Sequence, residues 1–376
     1  MITQHKQIDW SRIRDSFPAA IFQVYLNSAA AGPVSNRVID AAVQFYMQMN
    51  AGGDSKWVEW LERREQIRAN LAAFINAEPD EIAFTVNTSM GMNAIIDILE
   101  GEGEVISCEL EFPVSTIPWM HRGVRVHRIK PIDGMISIEQ VHGSMTGDTK
   151  IIVLSHVQYS NGLRIDVKEI GENKKEHVFV VGASQSAGVL PIDVKRMQID
   201  ALCATGHKWM LAGYGTGFVY ISRRLMEKRA PRAIGWMSVE DPFSMRNDSY
   251  ISRSSAPPRT ELGCPHFAGI FALGAAIETI IELGIENIER RALQLNRYLT
   301  SSLVENGWKI LSPLATEKTR SPETLVQADE PERLVHFLSS RGIAVTEKPE
   351  GMRIATHFFN NESDIDSLIE ALKEYR

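Results

Sequence analysis

The apolar positions in the middle of the chain fall into short blocks, separated by longer segments of a different period. Runs rich in β-branched residues occur at Glu104–Ser107, Val124–Ile129, Lys150–Val157, His177–Val181, Ala201–Ala204 and Gly217–Ile221. Turn signals or segments of helix-like spacing stand between most of them. Strands that are apolar along their whole length belong in a sheet covered on both faces, so these runs predict the buried strands of an α/β fold. Ahead of them, Trp57–Ala77 sets Leu61, Ile67, Leu71 and Phe74 at roughly helical spacing. An Asn-Ala-Glu-Pro-Asp turn follows, and then the strand-like Glu81–Thr85, which predicts a helix leading into a strand.

The clearest punctuation is Pro257, Pro258, Gly263 and Pro265, and it predicts a domain boundary there. Phe267 to about Asn306 then reads as two long helical segments broken near Gly284. Beyond them, Trp308–Leu311, Glu323–Val326, Gly342–Val345 and Met352–Thr356 look like short strands alternating with helices at Glu332–Ser340 and Ser363–Tyr375. This pattern predicts a compact α+β second unit.

Composition narrows the class. At about 150 residues per domain, 376 residues suit two domains or three, and exclude a small stapled scaffold. With 44% hydrophobic and 23% charged residues, neither disorder nor a fibre is indicated. The net charge of -7 argues against an overall basic surface, so no nucleic-acid partner is expected. Cys108, Cys203 and Cys264 are odd in number and far apart, which suggests neither a disulfide framework nor a zinc knuckle. No two of the ten histidines stand at HExxH spacing, and no metal is expected. The polar start and an apolar stretch that stops at Glu278 point to the cytoplasm, with no membrane partner.

The chemistry concentrates between Val178 and Ile221. One predicted strand ends at small residues and Gln185, and another ends at Thr205. His207 and Lys208 follow, ahead of the glycine-rich Gly213–Gly217. Open α/β sheets bind ligands at the carboxyl ends of their strands. A lysine there can form a Schiff base once desolvation or neighbouring cations lower its pKa, and a threonine and histidine beside it can hold phosphate. A nucleotide site at Gly213–Gly217 is disfavoured, because the glycines lack GxGxxG or Walker spacing.

Thr205-Gly-His-Lys208, following Gln-Ser-Ala-Gly and Pro-Ile-Asp-Val segments, resembles the fold-type I, class V aminotransferase family of pyridoxal-phosphate enzymes, which includes cysteine desulfurases and isopenicillin N epimerase-like proteins. The resemblance runs from VYLNSAAAGPVSNRVIDA to GMRIATHFFNNESDID. It implies a large domain with a mainly parallel seven-stranded sheet over residues 21–265, preceded by an arm at 1–20. A small α+β domain at 266–376 follows, linked by a long helix. It implies that Lys208 anchors the cofactor covalently and later shuttles protons at the substrate Cα. Thr88, Ser89, Thr205 and His207 would hold the phosphate, Phe112 would stack on the pyridine, and Gln185 would bond the ring's 3′-oxygen. Arg353 would grip the α-carboxylate of a small amino acid as a bidentate fork. The chemistry implied is transamination or desulfurase-like elimination through an external aldimine, in a homodimer with shared active sites.

Three departures qualify that implication. Gly182 stands where the family has an aspartate that pairs with the protonated pyridine nitrogen, so either another group substitutes or the electron-rich intermediate is poorly stabilised. A fold that keeps its cofactor and serves as a catalytically impaired binding or regulatory protein is the alternative reading. No cysteine follows Cys264, so the C-terminal persulfide acceptor of desulfurases is missing. Cys264 itself replaces a threonine that reaches the partner subunit's cofactor phosphate. Tyr159, in Ser155–Gly162, falls where desulfurases place an asparagine near the ring, and a phenol there could act as an acid or a hydrogen-bond donor.

Overall fold

The computed structural model describes residues 8–314 and 316–375. Its strands in chain order are β1 (Val24–Tyr25), β2 (Ile82–Phe84), β3 (Glu104–Cys108), β4 (Val126–Ile129), β5 (Thr149–Ser155) and β6 (Val178–Gly182). β7 (Ala201–Thr205), β8 (Gly217–Ile221), β9 (Glu323–Gln327), β10 (Ile343–Ala344), β11 (Thr346–Lys348) and β12 (Gly351–Ala355) follow. Seven of them form one sheet in the order β2-β8-β7-β6-β5-β3-β4. β4, β3, β5, β6 and β7 are mutually parallel, and β8 alone runs against its neighbours β7 and β2. This is the mainly parallel, seven-stranded α/β sheet expected.

The continuous apolar runs are explained by burial on both faces. Successive residues of β5 enter different cores: Ile152 and Leu154 pack with the helices Asn36–Gly52, Trp57–Ile75 and Phe267–Leu283, whereas Ile151 and Val153 pack with the helix Thr88–Leu99. The helix Phe267–Leu283 is apolar nearly all round because it lies between the two helices before it in that layer. Among the described residues no single helix is long and apolar enough to cross a membrane. Arg68 of the helix Trp57–Ile75 ties this layer to β2. Its buried guanidinium forks onto Glu261 at 2.6 and 2.8 Å and donates to the Ile82 carbonyl at 2.9 Å.

At Gly284 the chain bends by 83° into the helix Ile285–Glu305. That helix begins a separate core, in which Leu295, Leu299 and Leu303 meet Val326, Ile354, Leu368 and, from the start of the chain, Leu26. The preceding helix is buried in the large layer, whereas this one packs in the second core. Leu26 joins this core because β1 pairs in parallel with β10. The sheet of the second unit has the order β11-β12-β9.

Two local expectations change. Trp308–Leu311 makes only an isolated bridge, Ile310 to Val326, because the Ser312 hydroxyl takes the N–H of Leu325 at 2.7 Å and ends the ladder. The strand expected at Gly342–Val345 shortens to β10, and a further strand that was not expected, β11, follows it. The chain leaves β1 at Val345 and crosses to β12, where Thr346 opposes Arg353.

The loop after β1 seals the large unit over Lys208. Gly32 donates its N–H to the His207 carbonyl at 2.7 Å, and a Cβ at Gly32 would lie 2.3 Å from the Lys208 carbonyl oxygen. Only glycine lets the two backbones approach so closely. Gly32→Ala is expected to lower the unfolding free energy by about 1–3 kcal/mol, read from urea denaturation midpoints at unchanged slope.

Candidate active site

Parallel strands that are buried on both faces have their free polar ends at the edge of the sheet. The last residues of β5, β6 and β7 are Ser155, Gly182 and Thr205, and all three line one cavity of about 200 Å³. Thr88 and Ser89 enter it from the first turn of the helix Thr88–Leu99, whose cap is the Asn87 side chain accepting the Met90 N–H at 2.9 Å. The first N–H groups of a helix have no intrahelical partners and favour an anion. Phe112, Tyr159, Gln185, His207 and Lys208 also line it, so the cavity gathers eight of the ten residues singled out from sequence.

Lys208 is half-buried and its ammonium lies 5.7 Å from the Phe112 ring centroid. Loss of solvent and the positive charges of Arg353 and Lys348 bring its pKa down to about 8, against the opposing pull of Glu323. Phe112 meets Tyr159 edge to face at 5.1 Å, making an aromatic wall beside the amine. His207 is held by a 2.7 Å hydrogen bond between its Nδ1 and the Thr205 hydroxyl, and it stacks on Tyr214 at 4.4 Å. Desolvation and the Lys208 charge lower its pKa to about 4, so at neutral pH it acts through hydrogen bonds rather than charge. Gln185 donates to the Ala29 carbonyl at 3.0 Å and accepts from the Trp209 indole at 2.7 Å, which leaves one amide hydrogen for a ligand.

The second unit supplies the charged rim. Arg353 on β12 is buried, donates to the Tyr159 carbonyl at 3.2 Å and lies 3.8 Å from Glu323 of β9. Lys348 on β11 sits over the Tyr159 ring at 4.3 Å, and burial and Arg353 lower its pKa to about 8. Sequence reasoning did not single out Lys348 or Glu323. Glu323 is fully buried, and neither of its carboxylate oxygens accepts a hydrogen bond. Burial pushes its pKa up, while Arg353, Lys348 and Lys208 pull it down. Three basic groups face one carboxylate here, an environment suited to an anionic ligand.

Other residues fall elsewhere. Cys264 is exposed and lines a separate cavity of about 340 Å³ with Gly215, Thr216, Thr260 and His266, so one chain does not bring it to Lys208. Asn161 shapes a turn, donating to the Gly134 carbonyl and accepting from Leu163 N–H, and Trp119 is core. Cys108 and Cys203 are buried in the sheet. Desolvation raises both thiols, that of Cys203 to about 12. No cysteine lines the Lys208 cavity.

Sheet order, a desolvated lysine at a strand end and a hydroxyl-rich helix start define an α/β enzyme of the fold-type I kind. The chain belongs to the aminotransferase class-V family, whose sequence model matches residues 24–368. This is a family of pyridoxal-phosphate-dependent enzymes. The chain is 27% identical to an uncharacterized aminotransferase, YcbU, of Bacillus subtilis over 92% of its own length and 91% of that protein's. It is 28% identical to a cysteine desulfurase of an Enterobacter species, over 78% and 77% of the two chains. Its fold is that of the cysteine desulfurase of Thermococcus onnurineus, with a TM-score of 0.89 at 24% identity over 98% of both chains. It is also that of the cystine C-S lyase C-DES, solved with its product cysteine persulfide, with a TM-score of 0.86 at 20% identity over 95% and 98%.

Only an unprotonated amine is a nucleophile, so the lowered pKa has a direct consequence. At pH 7 about a tenth of Lys208 is neutral, against about three in ten thousand for an ordinary lysine. Reductive trapping of a small aldehyde at Lys208 of cofactor-free protein, followed by peptide mass spectrometry, is expected to rise about tenfold per pH unit below pH 7. It should level off above pH 8, whereas exposed lysines continue to gain beyond pH 10.

Proposed function

We propose that this protein holds pyridoxal phosphate on Lys208 and acts at the amino-bearing carbon of a small amino acid, by transamination or C–S elimination, without storing sulfur on a cysteine of its own. The observation that carries this reading is the lysine itself: half-buried, pushed down to about pKa 8, and set among hydroxyl donors and an aromatic wall. The residues present fit the cofactor. Thr88, Ser89, Thr205 and His207 offer hydrogen bonds to a phosphate, Phe112 offers a ring face, and Lys208 offers the amine. When bound, the cofactor supplies an electron sink for the bonds at the substrate's α-carbon.

The chain's own groups do the rest. Arg353 holds the substrate carboxylate, its guanidinium already anchored by Tyr159 and partly neutralised by Glu323. Lys348 adds a second cation beside Tyr159. Lys208, once released from its covalent role, is a base of suitable strength to take a proton and return it near neutral pH. The absence of any cysteine from the cavity supports release of product to solvent or to a separate acceptor. Cys264 and its neighbours line a surface cavity that suits a homodimer, in which this edge approaches the partner's cofactor phosphate. A cytoplasmic setting accords with three unpaired cysteines.

The absence of a carboxylate from the cavity wall favours one further reading, a binding or regulatory protein that retains cofactor without turnover. The two part on measurement. Purified protein with added pyridoxal phosphate is expected to show a lysine-linked absorption band that Lys208→Ala abolishes. Amino acids should shift that band, with a keto acid or sulfide appearing in solution. A band that no amino acid moves would support the binding protein. Arg353→Lys keeps the charge and loses the fork. It is expected to raise KM about ten- to a hundredfold with a smaller change in kcat, measured in steady-state assays with the amino acid that turns over.

A further inference from the structure

The wall of the Lys208 cavity carries amine, imidazole, amide and hydroxyl groups but no carboxylate. A pyridine nitrogen in such a cavity stays protonated only if an acceptor, preferably one backed by negative charge, meets it. The nitrogen is para to the ring carbon bearing the aldehyde that a lysine would capture, so it would address a part of the wall away from Lys208. There, at neighbouring strand ends, Ser155 opposes Gly182 in register. A Cβ built at Gly182 would stand 2.7 Å from the Ser155 hydroxyl oxygen. The hydroxyl therefore occupies space that a side chain at residue 182 would need.

A carboxylate waits directly behind that hydroxyl. Ser155 donates its hydroxyl to Glu111 Oε2 at 2.6 Å and its backbone N–H to Oε1, and Gln158 donates to Oε1 at 2.7 Å. Ser115 adds a further side-chain hydrogen bond. These partners are all neutral, and no ion pair to Glu111 occurs among the described residues. The titratable groups near it are the thiols of Cys108 and Cys203, both raised by burial. Burial also pushes Glu111 above the usual carboxylate range, against the pull of its donors. A buried acid whose hydrogen-bond partners are all neutral lacks a cation.

We propose that Ser155, backed by Glu111, takes the role of the carboxylate that Gly182 cannot supply: the Ser155 oxygen accepts a hydrogen bond from the cofactor's ring nitrogen while its own hydroxyl hydrogen remains on Ser155 and is donated to Glu111. No proton has to move along this chain, and the charges that pair are the ring cation and Glu111, one hydroxyl apart. Ser155 touches the cofactor, and Glu111 is a positioning residue acting through it. This inference rests on the reading of Lys208 as the cofactor lysine.

The test compares wild type, Ser155→Ala, Glu111→Gln and the double variant Ser155→Ala/Gly182→Asp. Two quantities are read by absorbance: the dissociation constant of pyridoxal phosphate from titrated apoprotein, and the apparent pKa of the lysine-linked band. A ring cation repels the proton on the lysine linkage and keeps that pKa low. Both single variants are expected to bind the cofactor roughly tenfold or more weakly and to raise the band's pKa by about one unit or more. The double variant, with the hydroxyl removed and a carboxylate in the space it vacates, is expected to recover both. Urea midpoints are measured alongside, and Ser155→Ala removes only a hydroxyl, so lost packing at residue 111 cannot imitate the result. A band present in all variants with unchanged pKa and affinity overturns this inference alone. A wild type with no band that Lys208→Ala removes overturns the lysine reading, and this inference with it.

Discussion

The site depends on one constraint: a parallel sheet covered on both faces has no place for polar groups except at its ends. Ile151 to Leu154 of β5 divide between two dry cores, and the next residue, Ser155, is the first that can afford a hydroxyl. The same holds one strand over, where Val178–Val181 give way to Gly182, and again at Thr205. Ser155 and Gly182 pair directly, and Thr205 lies two residues beyond Cys203, the partner of Gly182, so the three ends fall near one another. Three residues far apart in sequence thereby form one floor, and Lys208 stands three residues past that floor, where desolvation lowers its pKa.

Electrostatics at the rim follow from the second unit. Three positive groups gather around a cavity that already disfavours charge, and Glu323 moderates them from behind without accepting a hydrogen bond. Its burial would be unfavourable alone. Beside Arg353 and Lys348 it keeps the rim from repelling its own lysine so strongly that the pKa falls further. Lys208 thus remains a usable base rather than a permanently neutral amine.

What could be seen in the sequence, and what could not, divides along the same line. The strand ends and the Thr205–Lys208 run announced themselves, because continuous apolar blocks are visible locally and their chemistry begins where they stop. The helix at Trp57–Ile75 was legible from its period, and its end from Asn76, which adopts a left-handed φ of 59°. Lys348 was hidden because its strand exists only through pairing with β12 after the chain leaves β1, an event that no local period records. Glu111 lay in plain view within Glu109–Pro113, but its partner Ser155 is 44 residues away. The relation between them depends on how the loop after β3 folds back beneath β5. Glu323 likewise read as the polar start of a strand, until Arg353 of the adjacent strand came within 3.8 Å.

The division of labour between the two cores sets how such a protein can change over time. The groups that would hold a cofactor all sit on the large sheet and its neighbouring loops, whereas the arginine and lysine that would hold a substrate ride on a three-stranded sheet with a core of its own. Substitutions around Leu295, Leu299 or Val326 act first on that smaller sheet, and reach the large unit through links such as His357 on the Trp209 carbonyl and Arg353 on the Tyr159 carbonyl. Substrate preference can therefore drift through mutations remote from the reacting atoms while the underlying chemistry is inherited intact, an arrangement that lets one ancestral scaffold diversify into many specificities.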